Sequence, residues 1–335
     1  MPTNRKTLHY YPSPKPDGKY SNPYSIYYRE ALSKYFKVVD TQLWKGCLLP
    51  VQLAWAALTK ADVYIYNWIE NFEYKHLKRI QFGLLLLGFR IVKWRKKKLV
   101  WMLHNLQPHS VAGGRYSQKI MSFLFCHSDV IIAHSKEAVQ YAQQVAKGKV
   151  MYRCHPIIPQ KKNVLIPDEP TEKYDILIWG TILPYKGIPE FLGYLTSTDT
   201  CFKILIVGYC KDENLKKSVM AYCNDHITFI NERIDFSALN VLIKNSRYVL
   251  FPYIGDSVSS SGALIDTIAM GGNPVGPKRG AFKDLSEEGC CLVYNNYTDL
   301  MRILHGNHQI DQSTIKTFMH NHSWNNFVES IINEL

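Results

Sequence analysis

The chain lacks an apolar segment long enough to cross a membrane. Its longest apolar block, "FGLLLLGF" at residues 82–89, is far shorter than the roughly 18–20 residues that a transmembrane helix needs. The opening "MPTNRKTLHYYPSP" also lacks the apolar core of a secretory signal. We therefore expect a protein that stays in the cytoplasm.

Cysteine and glycine patterns that identify other protein classes are missing as well. Eight cysteines occur among 335 residues, but none forms a C-x-x-C pair, and Cys290 is followed directly by Cys291. We therefore expect neither a disulfide framework nor a zinc site. The chain has no G-x-G-x-x-G, which argues against a dinucleotide-dependent oxidoreductase.

Acidic residues are missing from residues 75–98, in a chain whose net charge is +12. The nine cations of this segment are Lys75, Lys78, Arg79, Arg90, Lys93, Arg95, Lys96, Lys97 and Lys98. Apolar residues lie among them at helical spacing: Leu77, Ile80, Leu84, Leu87 and Ile91. The composition fits a helix on an anionic membrane surface, and it fits equally a core helix with solvated ends. No nucleic-acid-binding motif accompanies the charge, so we expect no nucleic acid partner.

Short β-branched or aromatic runs alternate with helical patterns along the whole chain, which predicts parallel sheets covered by helices on both faces. Six strands are predicted near residues 7–10, 38–39, 63–67, 99–104, 130–134 and 150–154. Six more are predicted near residues 175–179, 203–207, 227–230, 248–251, 274–275 and 291–293. The four prolines of residues 156–173 predict a linker between a first domain at 1–155 and a second at 174–312. A C-terminal helix at 313–335 is expected to pack back toward the first domain.

The stretch "SSSGALIDTIAMGGNPVG", from Ser259 to Gly276, places small residues between a strand and a helix. Such residues let backbone amides point outward at the positive end of a helix, where phosphate binds. A plain serine N-cap would use the same residues. Asp266 lies about one turn into this helix, where its carboxylate could accept hydrogen bonds from ribose hydroxyls. Together these features predict a nucleotide.

A second stretch, "ILIWGTILPYKGIPEFL", contains a buried strand, a tight turn at Gly180 and Lys186 at the start of a helix. A lysine at this place can neutralise a phosphate oxygen. An ordinary exposed lysine would give the same pattern. The presence of the serine loop in the same half of the chain is what favours a phosphate-binding site.

The pattern "WGTILPYKG", followed by "FPY" and "SSSGALIDTIAMGGNPV", resembles the carboxyl-terminal domain of retaining glycosyltransferases of glycosyltransferase family 4, of the bacterial polysaccharide type. In the first half, "LVWMLHNLQPH" and "VIIAHS" resemble strands of that family that end in histidine or in His-Ser. The resemblance covers essentially the whole chain. It implies an α/β architecture, the GT-B fold, in which two Rossmann-like domains with parallel sheets face each other across a cleft.

By this resemblance, the second domain would bind the nucleotide-sugar donor. Lys186 would contact the diphosphate, and Asp266 would take the place of the family's second glutamate on the ribose. Ser260, Ser261 and Gly262 would offer amides to phosphate.

Two positions depart from the family pattern. Thr181 stands in the nucleotide site where the family has an arginine, and Val258 stands where it has a glutamate. Asp256 is close enough in sequence to replace the acid as a catalytic group, and Lys278 or Arg279 could replace the cation. No D-x-D lies between suitable strands, so we expect no metal and no cofactor, because the cationic loop supplies the positive charge.

The first domain would bind the acceptor. The resemblance places His104 near the transferred sugar as a catalytic group, although a histidine at a strand end can equally be structural. The candidate acceptor-binding residues are Asp17, Gly18, Asn22, Asn67, Trp68, His104 and Asn105, with Glu70 beside Trp68.

We therefore expect a retaining hexosyltransferase on the inner face of the cytoplasmic membrane. It would move a sugar from a nucleotide-sugar donor to a glycan or lipid-linked glycan in cell-surface polysaccharide synthesis. The alternative is a nonenzymatic protein that binds a glycan or a membrane complex on a degenerate GT-B fold, which the two departures favour.

Overall fold

A computed structural model of the chain describes residues 5–14, 22–40, 49–70, 78–104, 114–158, 173–198, 200–255 and 260–335. The chain forms two compact units, Met1–Ile158 with Ser323–Leu335, and Pro159–His322. Each unit contains a six-stranded sheet in which the paired strands are parallel. The predicted α/β fold with two Rossmann-like sheets is confirmed.

The sheet of the first unit has the strand order β2-β1-β3-β4-β5-β6. Its strands are β1 (Thr7–Tyr11), β2 (Lys37–Asp40), β3 (Val63–Asn67), β4 (Lys98–Leu103), β5 (Val130–Ala133) and β6 (Lys149–Tyr152). Its helices are α1 (Pro23–Ser33), α2 (Leu49–Ala56), α3 (Lys78–Trp94), α4 (Gly114–His127) and α5 (Lys136–Val145).

Strand β4 shows why this sheet needs helices on both faces. Its residues alternate between two cores: Leu99, Trp101 and Leu103 pack on one face, and Val100 and Met102 on the other. All five are buried, as expected for a central parallel strand whose successive side chains point to opposite faces.

The sheet of the second unit has the strand order β12-β11-β10-β7-β8-β9. Its strands are β7 (Tyr174–Trp179), β8 (Ile204–Val207), β9 (Ile227–Ile230), β10 (Ser246–Leu250), β11 (Pro274–Pro277) and β12 (Leu292–Tyr294). Its helices are α6 (Ile188–Thr196), α7 (Glu213–Met220), α8 (Phe236–Lys244), α9 (Gly262–Ala269), α10 (Gly280–Glu287), α11 (Tyr297–His305) and α12 (Gln312–Asn321).

The C-terminal segment differs from the single helix expected at 313–335. The structure has α12 and a separate helix α13 (Trp324–Glu329), because Ser323 caps a new helix start by accepting from the Asn326 amide. Only Ser323–Leu335 belongs to the first unit. There Trp324 stacks on Tyr28 of α1 with ring centroids 5.6 Å apart. The predicted linker, 156–173, lies mostly outside the described residues, and its boundaries stay predictions.

The basic segment forms a helix over the residues that the structure describes, α3 from Lys78 to Trp94. Lys75 and Leu77 lie outside the described residues. Across the described ranges, no helix is both long and apolar enough to span a bilayer.

Candidate active site

The sheet of the second unit reverses its strand order between β7 and β10, which pair directly. The chain proceeds from β7 to β8 and β9 on one side, and from β10 to β11 and β12 on the other. Loops at the carboxyl ends of such a pair diverge and leave a crevice, the usual ligand position in open α/β sheets. Lys186 follows β7, and α9 with Asp266 follows β10. The structure therefore places these two predicted residues in segments that follow adjacent strands.

Two glycines shape the loop that carries Lys186. Gly180 has φ 98° and Gly187 has φ 62°, values that other residues rarely adopt. A Cβ at Gly187 would lie 2.2 Å from the Pro252 carbonyl oxygen. Between the glycines, Pro184–Lys186 form one turn of 3₁₀ helix that leads into α6. The loop after β7 is thus held against the end of β10.

Lys186 is almost completely buried, with 4% of its surface exposed. Its Nζ donates to the Trp179 carbonyl oxygen at 3.2 Å and lies 5.5 Å from the centre of the Tyr253 ring. Burial lowers the pKa of this ammonium to about 8. The alternative of an ordinary exposed lysine is wrong. The ammonium is held by a carbonyl and an aromatic face, which leave much of its charge uncompensated.

The serines before α9 serve as a helix cap. The Ser261 hydroxyl accepts from the Leu264 amide at 3.3 Å, and α9 begins at Gly262. The Ser261 side chain also hydrogen-bonds Tyr253, whose ring faces Lys186. Ser260 is half-buried. The serine N-cap interpretation is therefore right, and it places the positive end of α9 beside the residues around Lys186.

Asp266 is the second buried charge of the site. It is 5% exposed, and its Oδ1 has no hydrogen-bond partner among the described residues. Burial raises the pKa of this carboxyl to about 7. Its neighbour Thr267 accepts from the Trp179 indole at 2.9 Å, and the Trp179 carbonyl oxygen accepts from Lys186. One tryptophan thus links the lysine loop to the helix that carries the acid.

Of the expected replacements that the structure describes, Arg279 contacts this group. It donates to the Tyr253 carbonyl oxygen at 2.7 Å, while Lys278 is exposed. Thr181 is exposed as well, and Asp256 lies outside the described residues. A cavity of about 460 Å³ adjoins Tyr253 at the carboxyl ends of β10, β11 and β12, and Lys278 and Arg279 are in its wall.

In the first unit, the order reverses between β1 and β3. Two predicted acceptor residues near this point have structural partners: Asn22 caps α1 by accepting from the Tyr24 amide at 3.0 Å, and Asn67 donates to the Tyr11 carbonyl oxygen at 3.0 Å. Asp17, Gly18 and Asn105 lie outside the described residues. The role of these five in acceptor binding stays a prediction.

Trp68 and His104 come together after β3 and β4. Their rings stack with centroids 4.3 Å apart and planes 16° apart, and His104 Nε2 lies 3.4 Å from Asn67 Oδ1. His104 is buried. Glu70 is also buried, accepts from the Trp101 indole at 3.1 Å, and has its pKa raised to about 7 by burial.

A cluster of histidines that was not predicted from the sequence surrounds Tyr24. The rings of His104, His134 and His155 lie 5.0–5.7 Å from the Tyr24 ring. The Tyr24 hydroxyl lies 3.1 Å from His134 Nε2, and burial lowers the pKa of His134 to about 3 and of His155 to about 4. These two are therefore neutral at pH 7. The available signal was a histidine within three residues after each of β4, β5 and β6.

The fold is that of known glycosyltransferase structures. HepE from Anabaena, in complex with UDP and glucose, shares 13% identity over 99% of this chain and 100% of that chain, with a TM-score of 0.65. Sucrose-phosphate synthase from Thermosynechococcus elongatus shares 14% identity over 98% of both chains, with a TM-score of 0.69. Trehalose-6-phosphate synthase shares 11% over 86% of this chain and 76% of that chain, with a TM-score of 0.62. No family model and no curated protein sequence matches the chain.

Proposed function

We propose that this chain is a glycosyltransferase that moves a sugar from a nucleotide-sugar donor to a glycan or lipid-linked glycan. The observation that carries the proposal is that a buried ammonium, Lys186, and a buried carboxyl with an unpartnered oxygen, Asp266, lie in the segments that follow the adjacent strands β7 and β10 at the switch point. A nucleoside diphosphate supplies what both groups need, because its phosphates accept from the ammonium and its ribose hydroxyls donate to the carboxylate. HepE, which has the same fold, binds UDP-glucose.

Catalysis in this proposal is electrostatic. Negative charge grows on the diphosphate as the glycosidic bond stretches, and Lys186 stabilises that charge from its buried position. The N-terminus of α9 adds its partial positive charge, and Arg279 takes the place of the missing family cation. These groups make a metal unnecessary. Asp256 remains the proposed replacement for the family acid, and His104 with Trp68 lines the sugar and acceptor side.

We also propose the stereochemistry of transfer, the class of sugar and product, and the location of the enzyme. Transfer is proposed to retain the anomeric configuration, as in the resemblance to family 4 and in trehalose-6-phosphate synthase, whose structure concerns transfer with retention. The sugar is a hexose, and the product belongs to a cell-surface polysaccharide. The enzyme works in the cytoplasm at the inner face of the membrane, where a lipid-linked acceptor would reside.

Thermal unfolding tests the proposal directly. We expect one of UDP, GDP, ADP or dTDP to raise the unfolding temperature by several degrees, since a ligand at 100 times its Kd stabilises by about 2.7 kcal/mol. The matching nucleotide sugar should then release nucleoside diphosphate when acceptor is added, and NMR of the product reports the anomeric configuration. If none of the four nucleotides stabilises the protein while glycans do, the nonenzymatic alternative is correct.

The affinity for the nucleotide sugar should have a maximum between about pH 7 and pH 8. Below pH 7 the Asp266 carboxyl is protonated and loses its charge-assisted bonds, and above pH 8 the Lys186 ammonium deprotonates. On each side of this maximum, the affinity falls by up to about tenfold per pH unit. The affinity should be measured by calorimetry with the nucleotide sugar, because the terminal phosphate of a free nucleoside diphosphate itself titrates at about pH 6. Asp266→Asn should remove the acidic limb; an unchanged limb would assign it to another group.

A further inference from the structure

Two neighbouring helices of the first unit expose apolar side chains that its core does not use. On α2 and the turn after it, Val51, Trp55 and Leu58 are exposed, with Trp55 at 74%. On α3, Ile80, Leu87 and Trp94 recur every seven residues, and Trp94 is 82% exposed. The spacing places each set along one side of its helix. We call these six side chains the outer apolar surface.

The core is supplied by the opposite sides of the same helices. Leu53 of α2 and Leu85, Phe89 and Val92 of α3 are buried in the core beneath. A Cβ on Gly88 would lie 3.1 Å from Ala54 Cα, so the two helix backbones approach closely. The two outer rows therefore lie side by side as one surface, and packing of the fold does not explain them.

The charges that α2 and α3 themselves carry are of one sign. Neither α2 nor α3 contains an acidic residue. Lys78, Arg79 and Arg90 are exposed on α3, and Lys60 is exposed after α2. A second copy of this chain would bring the same cations to the interface, so charge disfavours self-association. An anionic surface complements them.

Most of the basic residues after α3, at positions 95–98, contact other parts of the first unit. Arg95 donates to the carbonyl oxygens of Ala57 and Thr59, Lys97 bridges Asp62 at 2.8 Å, and Lys98 donates to the Glu334 carbonyl oxygen. These three hold the first unit together. Lys78, Arg79 and Arg90 of α3 are exposed, as is Lys96 after it, whereas Lys93 of α3 bridges Asp129.

We propose that the outer apolar surface docks on an anionic phospholipid bilayer, with Trp55 and Trp94 at the headgroup level and Lys78, Arg79 and Arg90 on lipid phosphates. Tryptophan favours this interface because its ring is apolar and its N–H is polar. Cations on a helix with an apolar side add electrostatic attraction to anionic lipid. The inference deepens the membrane location in the proposed function, but the docking itself needs no transfer reaction.

Sedimentation with vesicles tests it on the full chain. We expect binding to vesicles containing phosphatidylglycerol, little binding to pure phosphatidylcholine, and weaker binding as salt rises. The triple change Lys78→Gln, Arg79→Gln and Arg90→Gln should lower the partition coefficient at least about tenfold, since each basic group near an anionic surface adds to the attraction. Trp55→Ser with Trp94→Ser should lower it on anionic vesicles without altering its salt dependence.

Matched controls lie elsewhere on the same unit. Lys34→Gln, Lys37→Gln and Lys147→Gln remove the same charge from other exposed positions, and Tyr141→Ser with Val145→Ser removes exposed apolar surface from α5. Both controls should partition like the wild type. Equal partitioning of all variants would overturn the proposal, as would a lipid-free dimer that the tryptophan changes abolish. Nucleotide affinity, measured on the same variants, should not change, so failure to dock and failure to bind nucleotide are separate results.

Discussion

Replacing Lys186 with methionine is expected to lower the turnover number by about 10²–10³-fold, the usual cost of removing one group that stabilises transition-state charge. Methionine fills nearly the same volume between the Trp179 carbonyl and the Tyr253 ring but carries no charge. The affinity for donor should fall less than turnover, because the negative charge on the diphosphate grows as the bond breaks. The measurement is nucleoside diphosphate release under saturating donor.

The chain offers a matched control for this change. Lys203 lies with its Nζ 5.6 Å from the centre of the Tyr174 ring, so it repeats the lysine-over-tyrosine contact at the opposite, amino-terminal edge of the sheet. Lys203→Met should leave turnover unchanged. Lys186→Ala should behave like Lys186→Met, provided that thermal unfolding shows a folded protein. Equal turnover in wild type and Lys186→Met would make this residue a structural lysine.

Much of the fold could be predicted because the signals are local. β-branched runs such as "ILIV" in β8 are buried on both faces, as is typical of a parallel sheet between helix layers. The position of Lys186 and Asp266 was also predictable, since each follows a strand by a turn that contains small residues. That the two strands are neighbours depends on strand order, which the sequence does not state.

The basic segment shows where local reading fails. No acid occurs within residues 75–98, so the cations there looked uncompensated. In the structure, Lys93 bridges Asp129 at 2.6 Å and Lys97 bridges Asp62 at 2.8 Å. These partners lie more than 30 residues away in sequence, and tertiary structure alone brings them together. Some of the cations that were expected to bind lipid therefore form ion pairs within the fold.

The histidines around Tyr24 also show that neighbours in space cannot be identified from a local stretch of sequence. Each follows a different strand, and parallel pairing places the three strand ends side by side. One histidine at a strand end predicts little, whereas three at adjacent strand ends make a buried aromatic cluster. His104 and His134 each end a stretch that resembles the family, whereas no such resemblance marks His155.

Asp266→Asn should weaken nucleotide binding and at the same time stabilise the nucleotide-free protein. Loss of charge-assisted hydrogen bonds to the ribose costs about 1.5–3 kcal/mol, or about a 10- to 150-fold rise in Kd. Asp284→Asn is the matched control, because Asp284 is equally buried in the same unit, at 4% exposure. We expect the control to leave the nucleotide Kd unchanged. An unchanged Kd in Asp266→Asn would remove this residue from the site.

The stability of Asp266→Asn should depend on pH in a definite direction. In the folded protein the Asp266 carboxyl keeps its proton up to about pH 7, whereas in the unfolded chain it loses the proton near its ordinary value of 3.8. The folded state thus binds more protons between these values, and this group makes the free energy of unfolding fall as pH rises from about 4 to 7. Asparagine has no ionisable carboxyl, so the variant does not lose stability in this way. The advantage of the variant should therefore be small at pH 4 and largest above pH 7, where it reaches the order of a few kcal/mol at about 1.4 kcal/mol per unit of pKa. Denaturant unfolding across this range, without nucleotide, measures it. A pH-independent difference would mean that the wild-type carboxylate is solvated in the folded protein and is not held in a buried site awaiting a ligand.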